Sequence, residues 1–198
     1  MRRPVLVVLL ALATLNALPP AARAQAPKML RFGLGGGVSL PVNHVKDTLK
    51  NGYVLQGVVS LLLPGSPFAL RATANYNRFQ GRDTFTTSAG VSHGTIVSGL
   101  GNLSFYLIHS GFLQPYVSAG LGAFSVGTTT TTNGVDSTDT KLHFGINAAA
   151  GVELHFSPSV SGYVEARLEN VYTDQGFSAE VTDVNNIRVL PIVFGIMF

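Results

Sequence analysis

From residue 28 onward, apolar side chains return at every second position. Phe32, Leu34, Val38 and Leu40 alternate with Arg31, Gly33, Gly35, Gly37 and Ser39. Tyr53, Leu55, Val59, Leu61 and Leu63 are set against Gln56 and Ser60, and Phe68, Leu70, Ala72, Ala74 and Tyr76 against Arg71, Thr73, Asn75 and Asn77. A helix would scatter these two sets around its circumference, whereas a strand sorts them to opposite faces. The same rhythm sets Val97, Leu103, Phe105 and Leu107 against Ser98, Asn102, Ser104 and Tyr106. Val117, Ala119, Leu121 and Ala123 then oppose Tyr116, Ser118, Gly120 and Gly122. A sixth segment has Phe144, Ile146, Ala148, Ala150, Val152, Leu154 and Phe156 against Gly145, Asn147, Gly151, Glu153 and His155. Val164, Ala166 and Leu168 face away from Glu165, Arg167 and Glu169, and the last segment, 187–198, carries Leu190, Ile192, Phe194, Ile196 and Phe198 on one face. Eight strands are predicted, an even number. Most have room, with their flanks, for the roughly 9 to 11 residues that a tilted strand needs to cross a bilayer.

The connections alternate in length. After the second, fourth and sixth segments they are tight: Pro64-Gly65-Ser66-Pro67, Ile108 to Leu113, and Ser157-Pro158-Ser159. After the first, third, fifth and seventh they are long and polar, with Gln80 to Ser92, Gly127 to Thr140 (including the Thr128–Thr132 run) and Thr173 to Asn186 as extended loops. Short turns at one end and long loops at the other is the arrangement of outer-membrane barrels, whose long loops lie outside the cell. A soluble β-sandwich or lipocalin-like barrel has no reason to segregate loop length in this way. It would also turn its apolar face inward, whereas here the small and polar face has the composition of a lumen.

Composition agrees with strands in lipid. Charged residues make up 12% of the 198-residue chain, about half the roughly 25% usual in soluble domains. Yet nothing beyond residue 24 approaches a continuous apolar run of transmembrane-helix length, and alternation spreads the hydrophobicity thinly along each strand. The N-terminus is different. Arg2 and Arg3, the apolar stretch Val5–Leu18, Pro19-Pro20 and Ala22-Arg23-Ala24 form a secretory signal over residues 1–24, leaving a barrel domain over 25–198. Of the 13 Lys and Arg, Arg2, Arg3 and Arg23 belong to that leader, so the remainder holds 10 bases against 10 acids. The high pI is largely a property of the leader, and nucleic-acid binding is not expected. There are no cysteines, which excludes disulfides, zinc-thiolate sites and thiol catalysis.

Over essentially the whole mature length, the chain resembles the OmpA/OmpX-type small outer-membrane barrels and the outer membrane protein β-barrel domain family. The residues that carry the resemblance are Pro115-Tyr116-Val117-Ser118-Ala119-Gly120-Leu121-Gly122, Val164-Glu165-Ala166-Arg167 and, most specifically, the alternating Leu190, Ile192, Phe194, Ile196 and terminal Phe198. The resemblance implies an all-β, eight-stranded antiparallel up-and-down transmembrane β-barrel in the cell outer membrane. It also implies that those last five residues are the signal read by the barrel-assembly machinery. Pro191 departs from the pattern, because it removes a ladder donor from a strand with no free edge. A bulge near the outer rim is expected there.

The inward face holds Arg31, Arg71, Glu153, Glu165, Arg167 and Glu169. Eight strands enclose an interior just wide enough for side chains to fill, and desolvated charges there must pair. These six are expected to form an ion-pair network that plugs the lumen, with a narrow or gated ion path as the alternative. His155, Ser157 and Glu169 are the residue types of a hydrolytic triad, as in the outer-membrane lipid A deacylases. However, Glu169 lies about 30 Å along the next strand from the turn that carries His155 and Ser157. Catalysis is therefore not expected. No phosphate loop follows the Gly33–Gly37 run, and His44, His93, His109, His143 and His155 lack metal-ligand spacing. Neither cofactor nor metal is expected. The chain is predicted to be a monomer whose partners are outer-membrane lipid and, during insertion, the assembly machinery. Its role is structural, adhesive or surface-interacting through its loops; a narrow porin-like channel and a lipid-modifying enzyme are the alternatives.

Overall fold

The computed structural model describes residues 30–42, 49–80, 91–132, 135–157, 159–173 and 186–198. The leader expected at 1–24 lies outside the described residues, as does most of the loops expected at Gln80–Ser92 and Thr173–Asn186. Eight strands follow in order: β1 (Leu30–Val42), β2 (Gly52–Leu62), β3 (Phe68–Gln80), β4 (Val91–Tyr106), β5 (Leu113–Thr132), β6 (Val135–His155), β7 (Ser161–Tyr172) and β8 (Asn186–Met197). Each pairs antiparallel with its neighbours in sequence, and β1 pairs with β8, so the sheet is a closed up-and-down barrel. Among the described residues there is no helix. The chain is an all-β, eight-stranded antiparallel barrel.

The register fixes the geometry. A walk along cross-strand pairs runs Phe32, Val59, Ala72, Gly101, Leu121, Ile146, Asn170, Arg188 and returns to β1 at Val42, ten residues beyond its start. With about 3.3 Å per residue and ~4.8 Å between strands, that offset tilts the strands by about 40° to the axis. Beyond the ladder proper, Phe32 and Phe198 exchange backbone N–H···O bonds of 2.8 Å each, so the seam is sealed to the last residue.

Alternation sorts the side chains as the rhythm predicts. Leu34, Leu55, Leu70, Val97, Leu121, Phe144, Leu168 and Phe194 are exposed on the outer wall, while Arg71, Thr73, Asn75, Ser104, Glu165 and Glu169 are buried inside. The inner face is less polar than expected. Leu49, Phe79, Ile96, Leu100, Phe124, Val126, Val171, Ile187 and Val189 pack into one buried apolar cluster across the loop-side half of the lumen.

Two further expectations are corrected. Gly127–Thr140 is not a long loop: Thr128 pairs with Asp139 and the ladder continues to Thr132↔Val135, so β5 and β6 run on as one long hairpin. Threonine is β-branched and favours strands, which outweighs its polarity here. Nor does Pro191 make a bulge near the rim. It sits mid-strand, and the register is the same on either side, at Ala166↔Ile192 and Glu169↔Val189. The missing N–H instead interrupts the ladder to β7 opposite Arg167 and Leu168, while pairing to β1 persists at Ser39↔Pro191.

At the β1–β8 seam the wall tolerates no extra atom on one glycine. A Cβ added to Gly37 would run into the carbonyl oxygen of Ile192, whereas one on the outward-facing Gly99 meets nothing within 4 Å. Gly37→Val is therefore expected to destabilise the barrel by about 1–3 kcal/mol through forced overpacking, and Gly99→Ala to leave it unchanged. The temperature at which the folded, heat-modifiable gel band is lost measures both. Equal midpoints for the two variants would show that the seam is slack.

Candidate functional site: the barrel lumen

The lumen has two halves of different chemistry. At the turn end, β1, β6 and β7 bring Arg31, Glu153 and Ser161 together. Arg31 Nη1 donates to Glu153 Oε2 at 2.7 Å, and Arg31 Nη2 donates to Ser161 Oγ. Tyr106 Oη donates to the second Glu153 oxygen at 2.8 Å, and His155 Nε2 stands 3.8 Å from Oε2. Inward-facing positions on four strands converge here because the turn-side ends of β1, β4, β6 and β7 lie at one level of the barrel.

One level further in, Glu165 holds two arginines. Arg71 Nη1 donates to its Oε2 at 3.2 Å, and Arg167 donates to its Oε1 through Nε at 3.1 Å and Nη2 at 2.6 Å. Tyr116 Oη adds a bond of 2.9 Å to Oε2, and the Arg71 guanidinium carbon lies 4.7 Å from the centre of the Tyr116 ring. Arg167 Nη1 reaches Asn147 Oδ1 at 3.0 Å. The tyrosines of this region were not singled out from sequence as site residues, although Tyr106 and Tyr116 fall on the small, polar face. A large phenol in such a face is a signal for a hydrogen-bonded lumen anchor.

Glu169 stands apart from this pairing. It is fully buried, and its Oε1 accepts from Asn75 Nδ2 at 2.9 Å. None of the ion pairs among the described lumen residues includes it. Of the six charged residues that the sequence places inside, five therefore meet as ion pairs, and the sixth is held across the lumen by an amide.

Above Glu169 the apolar cluster takes over. Leu49, which precedes β2, packs against Phe79, Ile96 and Phe124 inside the loop-side mouth. Side chains from β3, β4, β5, β7 and β8 thus pack together in the loop-side half of the lumen.

His155 and Ser157 stay at the turn end, where Ser157 Oγ accepts from the backbone N–H groups of Ser159 and Val160 at 3.3 and 3.0 Å. Glu169 is level with Asn147, eight residues up β6 from His155, or about 26 Å of strand. The three residue types of a triad are not brought together. Among the described residues no group of three or more His, Cys, Asp or Glu gathers in metal-ligand fashion.

The closed eight-stranded antiparallel wall matches known proteins. The profile of the outer membrane protein beta-barrel domain matches residues 7–195. No curated protein matches in sequence. Among solved structures, neisserial surface protein A is similar with a TM-score of 0.60 at 15% identity, over 85% of this chain and 95% of that one. A major outer membrane protein from Thermus thermophilus is similar with a TM-score of 0.55 at 13% identity, over 85% and 98%. At such identities the likeness is one of fold. With the profile spanning nearly its whole length, this chain belongs to the outer membrane protein β-barrel domain family.

Proposed function

We propose that this is a resident outer-membrane barrel whose lumen is closed and whose work is done at the cell surface. Residues 1–24 act as a cleaved export signal, and Leu190, Ile192, Phe194, Ile196 and Phe198 present the barrel to the assembly machinery. The protein then stands in the outer membrane as a monomer, without cofactor.

The observation that carries the surface role is the length of β4, β5 and β6. The ladder from β6 to β7 begins at Gly145↔Val171, whereas the β5–β6 ladder continues to Thr132↔Val135 and β4 follows β5 as far as Val91↔Thr130. A three-stranded tongue therefore rises above the rim formed by the other strands. Among the described residues, β6 from Val135 to Phe144 has β5 as its strand partner on one edge and no strand on the other. An open edge of that length offers a row of unpaired N–H and C=O groups, the means by which extended segments are captured. The tongue is the contact device of this reading.

Closure of the lumen rests on two layers in series, the ion pairs around Glu153 and Glu165 and the apolar cluster from Leu49 to Val189. A hydrated ion would have to displace paired charges at one and cross a dewetted constriction at the other. This argues against the channel alternative. The separation of His155 and Ser157 from Glu169 argues against the enzymatic one.

Three outcomes are expected. Replacing residues 129–138 by Asn-Gly keeps the barrel folded and heat-modifiable but lowers the adherence of expressing cells, to coated surfaces and to one another, several-fold. Undiminished adherence removes the tongue from the function. In planar bilayers the purified protein gives no resolved current steps, and steady unitary steps would establish the channel instead. Glu165→Leu strands two buried guanidinium groups and lowers stability by about 3–5 kcal/mol in urea titration. A midpoint equal to the native one would show that the lumen charges are solvated rather than packed.

A further inference from the structure

On the outward faces of β3 and β8 the apolar positions are bracketed by a phenylalanine at the turn end and an arginine at the loop end. On β3 the outward residues run Phe68, Leu70, Ala72, Ala74, Tyr76, Arg78; on β8, continuing to the last residue, they run Phe198, Ile196, Phe194, Ile192, Leu190, Arg188. In both cases ten residues separate Phe from Arg. At about 3.3 Å per residue and a tilt of about 40°, ten residues climb about 25 Å along the membrane normal, the height of the apolar band of such barrels. Both guanidinium groups therefore leave the hydrocarbon at headgroup depth, on the loop side.

Their surroundings repeat. Arg78 pairs across strands with Tyr53, whose ring centre lies 6.3 Å from that of Tyr76. Arg188 pairs with Asn170 and donates from Nε to its Oδ1 at 2.9 Å, and Tyr172 lies two positions further along β7 on the same outward face. Tyrosines mark an interface where one end of the ring is apolar and the other wet. Among the described residues no carboxylate meets either arginine: Glu153, Glu165 and Glu169 all point into the lumen. The turn end contrasts with this. Phe68, Phe105, Phe112, Phe156 and Phe198 are exposed there, and among the described residues no lysine or arginine faces outward. Among the described residues, outward-facing cationic side chains thus occupy one membrane interface and not the other.

We propose that Arg78 and Arg188 hold the terminal phosphate of anionic lipids in the leaflet at the loop end, making this wall a binding surface for lipids whose phosphate is an exposed monoester not neutralised by a cationic headgroup. A guanidinium presents paired N–H donors that match phosphate oxygens, and at the interface it is only partly hydrated. The two arginines lie three strand steps apart, by way of β1 and β2, so each engages its own headgroup. This rests on the membrane reading above.

The test reconstitutes the full chain in phosphatidylcholine bilayers with traces of spin-labelled phosphatidic acid or spin-labelled phosphatidylcholine, and compares the motionally restricted fractions. A roughly fivefold preference for the phosphatidic acid is expected, decreasing as ionic strength rises. It should fall to parity in Arg78→Gln/Arg188→Gln, with heat-modifiable migration confirming that the variant is folded. Exchanging chloride for inorganic phosphate at constant ionic strength should leave the preference in place. Parity in the native protein, or an undiminished preference in the double variant, overturns the proposal. So does loss of the preference to inorganic phosphate, which would make this a free-anion site. If no restricted lipid appears around either label, the membrane reading itself fails; restricted lipid without preference removes only the lipid selectivity.

Discussion

In hydrocarbon a backbone N–H without a partner costs several kcal/mol, and no water is present to relieve it. Each strand of this chain must therefore have a neighbour on both sides for as long as it is immersed. Eight strands meet that demand only if the last returns to the first. The β1–β8 ladder, from Gly33↔Met197 to Val42↔Arg188 and sealed by Phe32 and Phe198, is where the demand is met. The ten-residue offset accumulated around the wall is a consequence of that closure, and it sets strand tilt and diameter together. Pro191 shows how far the rule bends. One residue without an N–H lies in a strand that has no edge, and the surrounding register holds while two pairs of the β7–β8 ladder are missing.

A fixed diameter dictates the interior. The lumen has room for side chains and little else, so large inward residues are balanced by small ones. A Cβ on Gly195 or Gly151 would collide with the rings of Tyr163 and Tyr116. Charges in that space lack bulk water, and the structure answers by sharing: Glu165 serves Arg71, Arg167 and Tyr116 at once. Tyr163 Oη completes the layer by donating to Gln56 at 2.9 Å. Toward the loop end the packing changes from charge pairing to dispersion among Phe79, Ile96, Phe124 and their neighbours. The same wall thus carries two kinds of filling, and the boundary between them lies near Glu169.

Much of this was legible in the residues. The strand count, the antiparallel order and the outward stripes follow from period two, because one face of every strand meets lipid and must be apolar. The six charged lumen residues were visible for the same reason: no other face could hold them. What periodicity could not supply was the inside of the loop-side half. Ile96 and Leu100 on β4 and Ile187 and Val189 on β8 are apolar on the inward phase as well. A strand that is apolar on both faces loses its alternation, and the lumen then looks like a continuation of the outer wall. Which acid takes which arginine was likewise invisible, since it depends on the offset between strands and not on any one of them.

The Thr128–Thr132 run shows the difference between polarity and conformation. Five consecutive hydroxyl side chains read as a solvated loop if hydropathy is the criterion. Yet each of them restricts its own backbone toward the extended region through its branched Cβ. Once Ala119↔Ala148 and Phe124↔His143 have fixed the register inside the membrane, the next pairs are presented to each other in line. Above the membrane water can satisfy an edge, so a ladder there need not close, and its length is set by local propensity alone. The barrel body is accordingly governed by the lipid and the tongue by threonine, which is why the two differ in length and why, among the described residues, the tongue has an edge without a strand partner.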